Sequence, residues 1–504
     1  MASLRRNIFA NLAGGAWIAV LTLAITPLQV NLLGMEAYGV IGFIAVLQIA
    51  IGVLDLGLSS TITRELAGDH SSDRWRSQPL LRTAITFYWG LAIIIGIILF
   101  TSAGSIASAW FHPKSVDIAE LKQAIQVVAI FLALRWPVAL YSGVLAGVQR
   151  MDILNVVKVS VFSLRLLGGI LVLLAWRDLG AFLAWTAFSA LVEVLIYAVV
   201  SRQIVPAMNW RPGFSLPALR AVWGFSLSMS ALAVLAMGIT QIDRLLISKM
   251  LPLVDLGYYS LAYHAATAIS LILSAISSAM MPSFAAAHGA DAWETLLRRY
   301  DNANRLTLFA TGFVLFPLLF FGEPILAVWV NPDAAAGAWR SLALLAGGFW
   351  MGAAVSNAFT VAVACRQVGL ILKISALSAA FYVFVLYWMI GVWGIEGAGG
   401  AWLLLNTIYV LVVVPMVHRA ILNIPTMPWF SGMLLPFALL GGTIFGLSRL
   451  FVSRWSSDSL IEIFGLIPAV LVYGGIGYFL LGAGIRAEFI HMYRRVSRAQ
   501  QATS

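Results

Sequence analysis

Long apolar segments, separated by short polar ones, recur along the whole chain, and the first extends from about Leu12 to Leu33. A helix of ~20 residues, rising ~1.5 Å per residue, crosses the ~30 Å apolar core of a bilayer, whereas a barrel strand needs ~9–11 residues. The segments are therefore predicted to be transmembrane α-helices, which satisfy their own backbone hydrogen bonds. Fourteen spans are predicted, at residues 12–33, 38–62, 83–104, 123–147, 156–176, 179–201, 221–251, 257–282, 306–330, 341–364, 372–393, 397–417, 430–448 and 460–483.

Composition supports the same fold class. Of 504 residues, 61% are hydrophobic and only 10% are charged, whereas a soluble domain carries about 25% charged residues. The first apolar segment is also longer than the ~7–15 residues of a signal-peptide core. We therefore predict an all-α integral membrane protein.

Basic residues are distributed unevenly between the polar segments. With the N-terminus inside, 21 of the 31 Lys and Arg residues fall in segments on the cytoplasmic side and six fall outside. Positive residues accumulate on the cytoplasmic side of membrane proteins. Both termini are therefore predicted to be cytoplasmic, and the net charge of +10 is explained without nucleic acid.

Short sequence matches indicate an internal repeat. They recur in the same order at offsets of 215–219 residues: "SAWFHP" (108–113) with "AVWVNP" (327–332), "KVSVFS" (158–163) with "KISALS" (373–378), and "GAFLAW" (180–185) with "GAGGAW" (397–402). An even number of spans per repeat gives both copies the same orientation, as in parallel-repeat transporters. The prediction is a six-helix lobe at 1–206, a second at 207–424, and two further helices with a basic cytoplasmic tail at 425–504. A substrate path between the lobes is expected.

The polar segments leave little room for an enzyme. None is long enough to fold as a catalytic domain, and no phosphate-binding loop, dinucleotide fingerprint, HExxH or GxSxG motif is present. The six histidines are scattered, and Cys365 is the single cysteine. The sequence therefore predicts no enzyme, no cofactor and no metal site.

Charged side chains deep inside the spans are the candidate functional residues, because an isolated charge facing lipid costs at least ~2.5–3.5 kcal/mol. Lys158 and Arg165 are seven residues apart, so two helical turns place them on one face. Arg135 precedes Pro137, which predicts a kink in the fourth span. The candidate substrate-binding residues are Arg135, Lys158, Arg165, Arg244 and Lys249, and the candidate ion-coupling residues are Asp55, Glu193 and Asp243.

The segment "QIDRLLISKM" (241–250) concentrates charge in the seventh span. A step of about 100° per residue places four polar residues in one sector, namely Thr240, Gln241, Arg244 and Ser248. Asp243 and Lys249 flank this sector. At the repeat offset of 219 the two charges Asp243 and Arg244 correspond to Ala24 and Ile25, so they belong to one copy only. We therefore expect Arg244 to contact cargo.

Pairing is the alternative to a binding role. Arg165 could pair with Glu193, Arg135 with Asp55, and Asp243 with a neighbour, while Lys249 and Lys158 could extend to the two membrane surfaces. Five bases nevertheless face three acids, which leaves about two positive charges in the interior. Such a cavity selects an anion, and Arg favours phosphate because its planar fork binds two oxygens. The acids could carry a coupling proton or sodium ion.

Three segments resemble the Wzx-type polysaccharide flippases, of the superfamily that also holds multidrug and toxin exporters and lipid II flippases. They are "LGMEAYGVIGFIAVLQIAIGVLDLGLSSTITRELA" (33–67), "QIDRLLISKMLPLVDLGYYSLAY" (241–263) and "FGEPILAVWVNP" (321–332). The resemblance covers nearly the whole chain. It implies a V-shaped alternating-access transporter in the bacterial inner membrane, with a cationic cavity. The implied cargo is an undecaprenyl-pyrophosphate-linked oligosaccharide, and a polysaccharide polymerase and a chain-length regulator are the implied partners.

Other functions stay open at this point. A multidrug or cation antiporter on the same fold would need a cavity dominated by acids, and here bases are in excess. An O-antigen polymerase or ligase would need a large external loop, which the pattern does not contain. A lipid II flippase cannot be separated by composition, and only the motif resemblance favours the polysaccharide flippases over it.

Overall fold

The computed structural model describes residues 2–53, 55, 57–68, 78–114, 116–206, 208–220, 224, 230, 234, 237–290, 292–454, 458–482 and 485–486. Within these residues the secondary structure is helical throughout, without strands, and twelve segments are long and apolar enough to cross a membrane. The chain is therefore an all-α, multi-pass membrane protein. Most of the predicted seventh span before residue 237, and the basic tail from residue 487, lie outside the described residues.

The helices fall into two compact units, Met1–Ser260 and Leu261–Ser504. The helices of the first unit are α1 Ala2–Leu33, α2 Met35–Val53, α3 Leu58–Gly68, α4 Gln78–Ala109, α5 Ile118–Arg135, α6 Val138–Gly147, α7 Met151–Trp176, α8 Leu179–Ile204, α9 Ile242–Met250 and α10 Leu253–Ala266, the last of which extends into the second unit. The six-plus-six-plus-two division of the chain stays a prediction.

The second unit holds α11 Ala268–Gly289, α12 Trp293–Trp329, α13 Pro332–Ala364, α14 Val368–Val417, α15 Met427–Val452, α16 Ser459–Phe464 and α17 Leu466–Leu480. The long α14 contains a break at Gly394, where φ is 60° and ψ is −137°. Glycine is favoured at positive φ because glycine has no Cβ atom. The break lies between the predicted spans 372–393 and 397–417, so α14 consists of two span-length helices that meet at Gly394.

Two helices of the first unit are interrupted in the middle. The chain breaks between α2 and α3, where Gly57 has φ of 67°. It breaks again between α5 and α6, at Trp136 and Pro137. Proline has no N–H group and its ring clashes with the carbonyl four residues earlier, and the helix is interrupted at Pro137, where the sequence predicts a kink. The first break was not predicted, because residues 38–62 have the apolar pattern of one uninterrupted span.

Close backbone contact joins the two pieces that follow these breaks, α3 and α6. A Cβ atom on Gly143 would lie 2.8 Å from the Ser59 carbonyl oxygen, and one on Gly147 would lie 2.8 Å from Leu66. The hydroxyl of Thr63 also donates to the Gly143 carbonyl, at 3.0 Å. Glycines four residues apart let membrane helices approach closely, so α3 and α6 form one tightly packed pair.

The repeat motifs occupy comparable places along the two units. "SAWFHP" spans the end of α4 at Ala109, and "AVWVNP" spans the end of α12 at Trp329. In the second motif Asn331 caps α13, because its side chain accepts a hydrogen bond of 2.7 Å from the Ala334 amide. Each motif thus connects a span-length helix to the next one, while the full repeat stays a prediction.

Candidate functional site

A cavity of about 600 Å³ lies inside the first unit, bordered by α2, α3, the α5–α6 break, α7 and α8. Its polar lining consists of Gln48, Ser59, Ser60, Thr63, Arg135, Ser142, Lys158, Glu193 and Tyr197. Both interrupted helices contribute to the wall. Interrupted helices at membrane depth are tolerated where they line a cavity, and transporters use them to form binding sites.

Glu193 joins two of the predicted arginines at this cavity. Its Oε2 atom lies 2.5 Å from Nη2 of Arg165 and 3.2 Å from Nε of Arg135. Arg135 also donates from Nη1 to the side-chain oxygen of Gln48. The structure thus confirms the predicted Arg165–Glu193 pair. The predicted pairing of Arg135 with Asp55 is wrong, because Arg135 pairs with Glu193 on α8 instead, while Asp55 accepts hydrogen bonds from Tyr88 and Ser59.

Arg165 is held more firmly than Arg135. Its Nε donates to the hydroxyl of Ser189 at 2.8 Å, and its guanidinium lies 5.2 Å from the ring centroid of Phe131. The Arg165 side chain is 10% exposed, against 35% for Arg135. A buried guanidinium with this many partners cannot reorient freely, so Arg165 is fixed in place. Arg135 is the arginine of the pair that belongs to the described cavity lining.

Lys158 completes the charge of the cavity. It lies on the same wall and is exposed, with no ion-pair partner within the part of the chain that the structure describes. Among the lining residues, Arg135 and Lys158 carry two positive charges against the single negative charge of Glu193. Two charged groups lie just outside this lining: Arg165 contacts Glu193, and Asp55 accepts a hydrogen bond from Ser59. The site therefore has a local excess of about one positive charge, as expected for an anion-binding cavity.

Asp55 does not belong to the described lining of this cavity. The pattern placed Asp55 on an uninterrupted helix, and this placement is wrong, because the residue lies in the turn between α2 and α3. Its carboxylate accepts a hydrogen bond from the Tyr88 hydroxyl and another, of 2.7 Å, from the Ser59 hydroxyl. Asp55 thus joins α4 to the start of α3.

Asp243 and Arg244 form a second, separate group on α9. Both are buried, and Nε of Arg244 lies 3.9 Å from Oδ1 of Asp243. Asp243 also accepts a 2.7 Å hydrogen bond from the Tyr259 hydroxyl, and Arg244 donates to Gln241. The polar sector predicted for this segment is therefore present and packed against protein. Among the described residues, neither side chain lines the 600 Å³ cavity, and their functional roles stay predictions.

Lys249 lies at the exposed end of α9. Its ammonium group donates to the Ala109 carbonyl at 2.5 Å and lies 5.4 Å from the ring centroid of Trp110. The Trp110 indole in turn donates to Ser248 at 3.0 Å. These contacts agree with the predicted alternative of an anchor near the end of the helix. A role in substrate binding is not tested by them and stays a prediction.

Three partners of these charges were missed in the sequence. Tyr88 and Tyr259 each donate to a candidate acid from another helix, and no local spacing connects them to it. Ser189 could have been found, because it precedes Glu193 by four residues on α8 and helical neighbours at this spacing share a face.

A multi-pass helical protein with a basic internal cavity belongs to the class of membrane transporters. The chain belongs to the family described as polysaccharide biosynthesis protein, whose model matches residues 4–288. It is 22% identical over 404 residues to a Shigella flexneri protein named "Putative O-antigen transporter", covering 79% of this chain and 94% of that one.

Solved structures share the fold. The lipid II flippase MurJ in an inward closed conformation superposes with a TM-score of 0.72 at 13% identity, covering 94% of this chain and 99% of that one. A multidrug resistance MATE family transporter in an inward-facing conformation superposes with a TM-score of 0.64 at 14% identity, covering 80% and 94%. These relatives are transporters and flippases, not enzymes, and together they support a flippase-type transporter.

Proposed function

We propose that this chain moves an undecaprenyl-pyrophosphate-linked oligosaccharide from the cytoplasmic to the periplasmic leaflet of a bacterial inner membrane. The observation that carries the proposal is the cavity of the first unit, with its local excess of about one positive charge. Its lining offers the half-buried Arg135 and the exposed Lys158 to the pyrophosphate. The oligosaccharide class rests on the family and on the O-antigen transporter from Shigella flexneri.

The five predicted basic residues take different parts in this proposal. Arg135 and Lys158 contact the pyrophosphate, because they are the two cations in the described cavity lining. Arg165 holds Glu193 in place from behind. Arg244 and Lys249 stay candidate contacts outside this cavity, as the sequence predicted.

Genetic complementation tests the two cavity cations. In a strain that lacks the chain, Arg135→Ala and Lys158→Ala should each reduce surface polysaccharide at least tenfold, because each loses a charge-assisted contact worth ~1.5–3 kcal/mol. The measurement is quantitative polysaccharide blotting at matched membrane levels of the protein. Arg202→Ala on α8 and Lys122→Ala on α5 are the matched controls, because both residues are exposed outside the described cavity lining. Normal polysaccharide from both cavity variants would contradict the proposal.

The energy source and the partners are also part of the proposal. Asp55, Glu193 and Asp243 are the candidate acids for a coupling proton or sodium ion. A polysaccharide polymerase and a chain-length regulator would act on the product in the outer leaflet. Transport of a fluorescent lipid-linked oligosaccharide in proteoliposomes, with and without imposed ion gradients, tests the coupling directly.

A lipid II flippase is the alternative with the same headgroup chemistry, because MurJ shares the fold. Rescue of growth in a strain depleted of its lipid II flippase separates the two functions: we expect no rescue. A cationic-drug antiporter is disfavoured by the charge of the cavity, since like charges repel a cation from it.

A further inference from the structure

The two guanidinium groups at the cavity already hold an anion of the protein itself. The Glu193 carboxylate accepts from both Arg135 and Arg165, and both contacts go to the same oxygen, Oε2. A phosphate entering the cavity meets Arg135 with its Nε edge already occupied. The Glu193 carboxylate and the anionic cargo therefore compete for the same hydrogen-bond donor, Nε of Arg135.

Loss of the Arg135 contact does not leave Glu193 unpaired. Arg165 keeps its 2.5 Å contact with the carboxylate, and Ser189 and Phe131 hold Arg165 in place. Removing the last partner of a buried charge costs ~3–5 kcal/mol. Glu193 does not incur this cost, because Arg165 remains paired with it. Arg135 can thus transfer from the carboxylate to an incoming anion at small expense.

The opposite side of Arg135 is occupied by a neutral group. Its Nη1 atom donates to the amide oxygen of Gln48, which also lines the cavity. An amide competes with phosphate more weakly than a carboxylate does, because its oxygen carries no net charge and so lacks the Coulomb attraction to the guanidinium. An incoming anion therefore competes for Arg135 with one charged acceptor, Glu193, and one neutral acceptor, Gln48.

From this geometry we propose that Glu193 is an internal counter-anion, which competes with the anionic headgroup of the cargo for Arg135 and so limits how tightly the cavity holds it. The inference rests on the proposed function and assigns Glu193 to affinity and release. A transport site has to bind its cargo well enough to load it and weakly enough to let it leave. When the Glu193 carboxylate pairs with Arg135 again, it weakens the hold on the cargo and so favours release.

Two isosteric substitutions test the inference in opposite directions. Glu193→Gln removes the charged competitor, so inorganic pyrophosphate should bind about tenfold more tightly. Gln48→Glu places a second carboxylate against Arg135, so binding should be about tenfold weaker. The measurement is isothermal titration of the purified full chain in detergent with inorganic pyrophosphate at low ionic strength.

A matched control and a salt series accompany the titrations. Glu65→Gln removes a carboxylate from an exposed ion pair with Arg64 and should leave the affinity unchanged. Rising salt should weaken pyrophosphate binding and reduce the difference between the variants, because ions screen the charges. A Glu193→Gln protein that keeps its affinity gain at high salt would contradict electrostatic competition.

The outcomes separate this inference from the proposed function. Wild-type protein that does not bind pyrophosphate overturns both. Wild-type protein that binds, together with a folded Glu193→Gln variant of equal or weaker affinity, overturns the counter-anion and leaves the anion site in place. If Glu193→Gln does not fold, Gln48→Glu decides, because it leaves both arginine contacts of Glu193 intact; unchanged or tighter binding by that variant overturns the inference.

Discussion

Arg165 connects three parts of the first unit through one side chain. It donates to Ser189 and Glu193 on α8, and it lies over the ring of Phe131 on α5. Its fixed fork lets Nε and Nη2 donate to separate acceptors at the same time. A lysine ammonium is a point charge that lacks this geometry, so the position requires arginine rather than any cation.

Arg165→Lys should therefore destabilise the protein while keeping the charge. We expect a loss of about 1–3 kcal/mol of stability, because a buried acceptor on α8 loses its donor. The measurement is thermal unfolding of the purified protein in detergent. Arg202→Lys, at the exposed end of α8, should unfold at the wild-type temperature, and an equally stable Arg165→Lys protein would argue against the interpretation of Arg165 as a fixed residue.

The candidate residues could be found from the sequence, but only some of their partners could. Charge at membrane depth identified Arg135, Arg165 and Glu193, because such charges are costly unless they are used or paired. The partner of Arg135 could not be predicted. Partner choice depends on how α5 is turned at Pro137 and on which face of α8 it meets, and neither follows from residue spacing alone.

At the scale of elements, the two interrupted helices depend on their glycine contact. Gly143 and Gly147 of α6 lie against the backbone and side chains of α3, which brings Ser59 and Ser142 into the same cavity wall. Without a strong hydrophobic drive between helices in lipid, such close packing is a main source of association. The shape of the cavity therefore depends on two positions that lack side chains.

Gly143→Ala should destabilise the first unit, since its Cβ atom would lie 2.8 Å from the Ser59 carbonyl. Overpacking of this kind costs ~1–3 kcal/mol. Gly90→Ala on α4 is the matched control, because a Cβ atom there meets nothing within 4 Å. We expect Gly90→Ala to be neutral or slightly stabilising in thermal unfolding, and equal melting temperatures for the two variants would contradict the packing argument.

Helices were easier to predict than their interruptions. Hydropathy identifies a membrane helix from some twenty residues at once, so segments such as α7 and α8 match predicted spans within a few residues. The break before α3 depends on a few residues around Gly57, and one glycine in an apolar segment carries too little signal. The interruption at Pro137 could be predicted, because a proline inside any helix removes a backbone hydrogen bond and clashes with the preceding turn.

The whole molecule can be tested through its predicted orientation. In a background with Cys365→Ala, Glu120→Cys should react with a membrane-impermeant maleimide in spheroplasts, because the segment before α5 is predicted outside. Gln203→Cys, at the other end of the bundle, should react only after permeabilisation. Both positions are exposed, whereas Cys365 is buried and its burial raises the pKa of the thiol. Labelling of Gln203→Cys in intact spheroplasts would show that the orientation is opposite to the predicted one.

Fold class and family were within reach of the sequence, and the count of spans only partly so. Composition alone requires a membrane protein, and the resemblance to polysaccharide flippases agrees with the matched family. Fourteen spans stay a prediction, since twelve candidates are present among the described residues and one of them contains the break at Gly394. Length and hydropathy do not determine where a long helix is divided.

The positive charges of the cavity are fixed to the protein, and this has a consequence for the energy of transport. These fixed charges stay with the protein when the cargo leaves, so the negative charge of the cargo itself crosses the membrane. An anion leaving a cell with a negative interior moves down the membrane potential, gaining ~2.3 kcal/mol per charge per 100 mV. For the proposed pyrophosphate cargo, voltage alone could therefore drive outward movement.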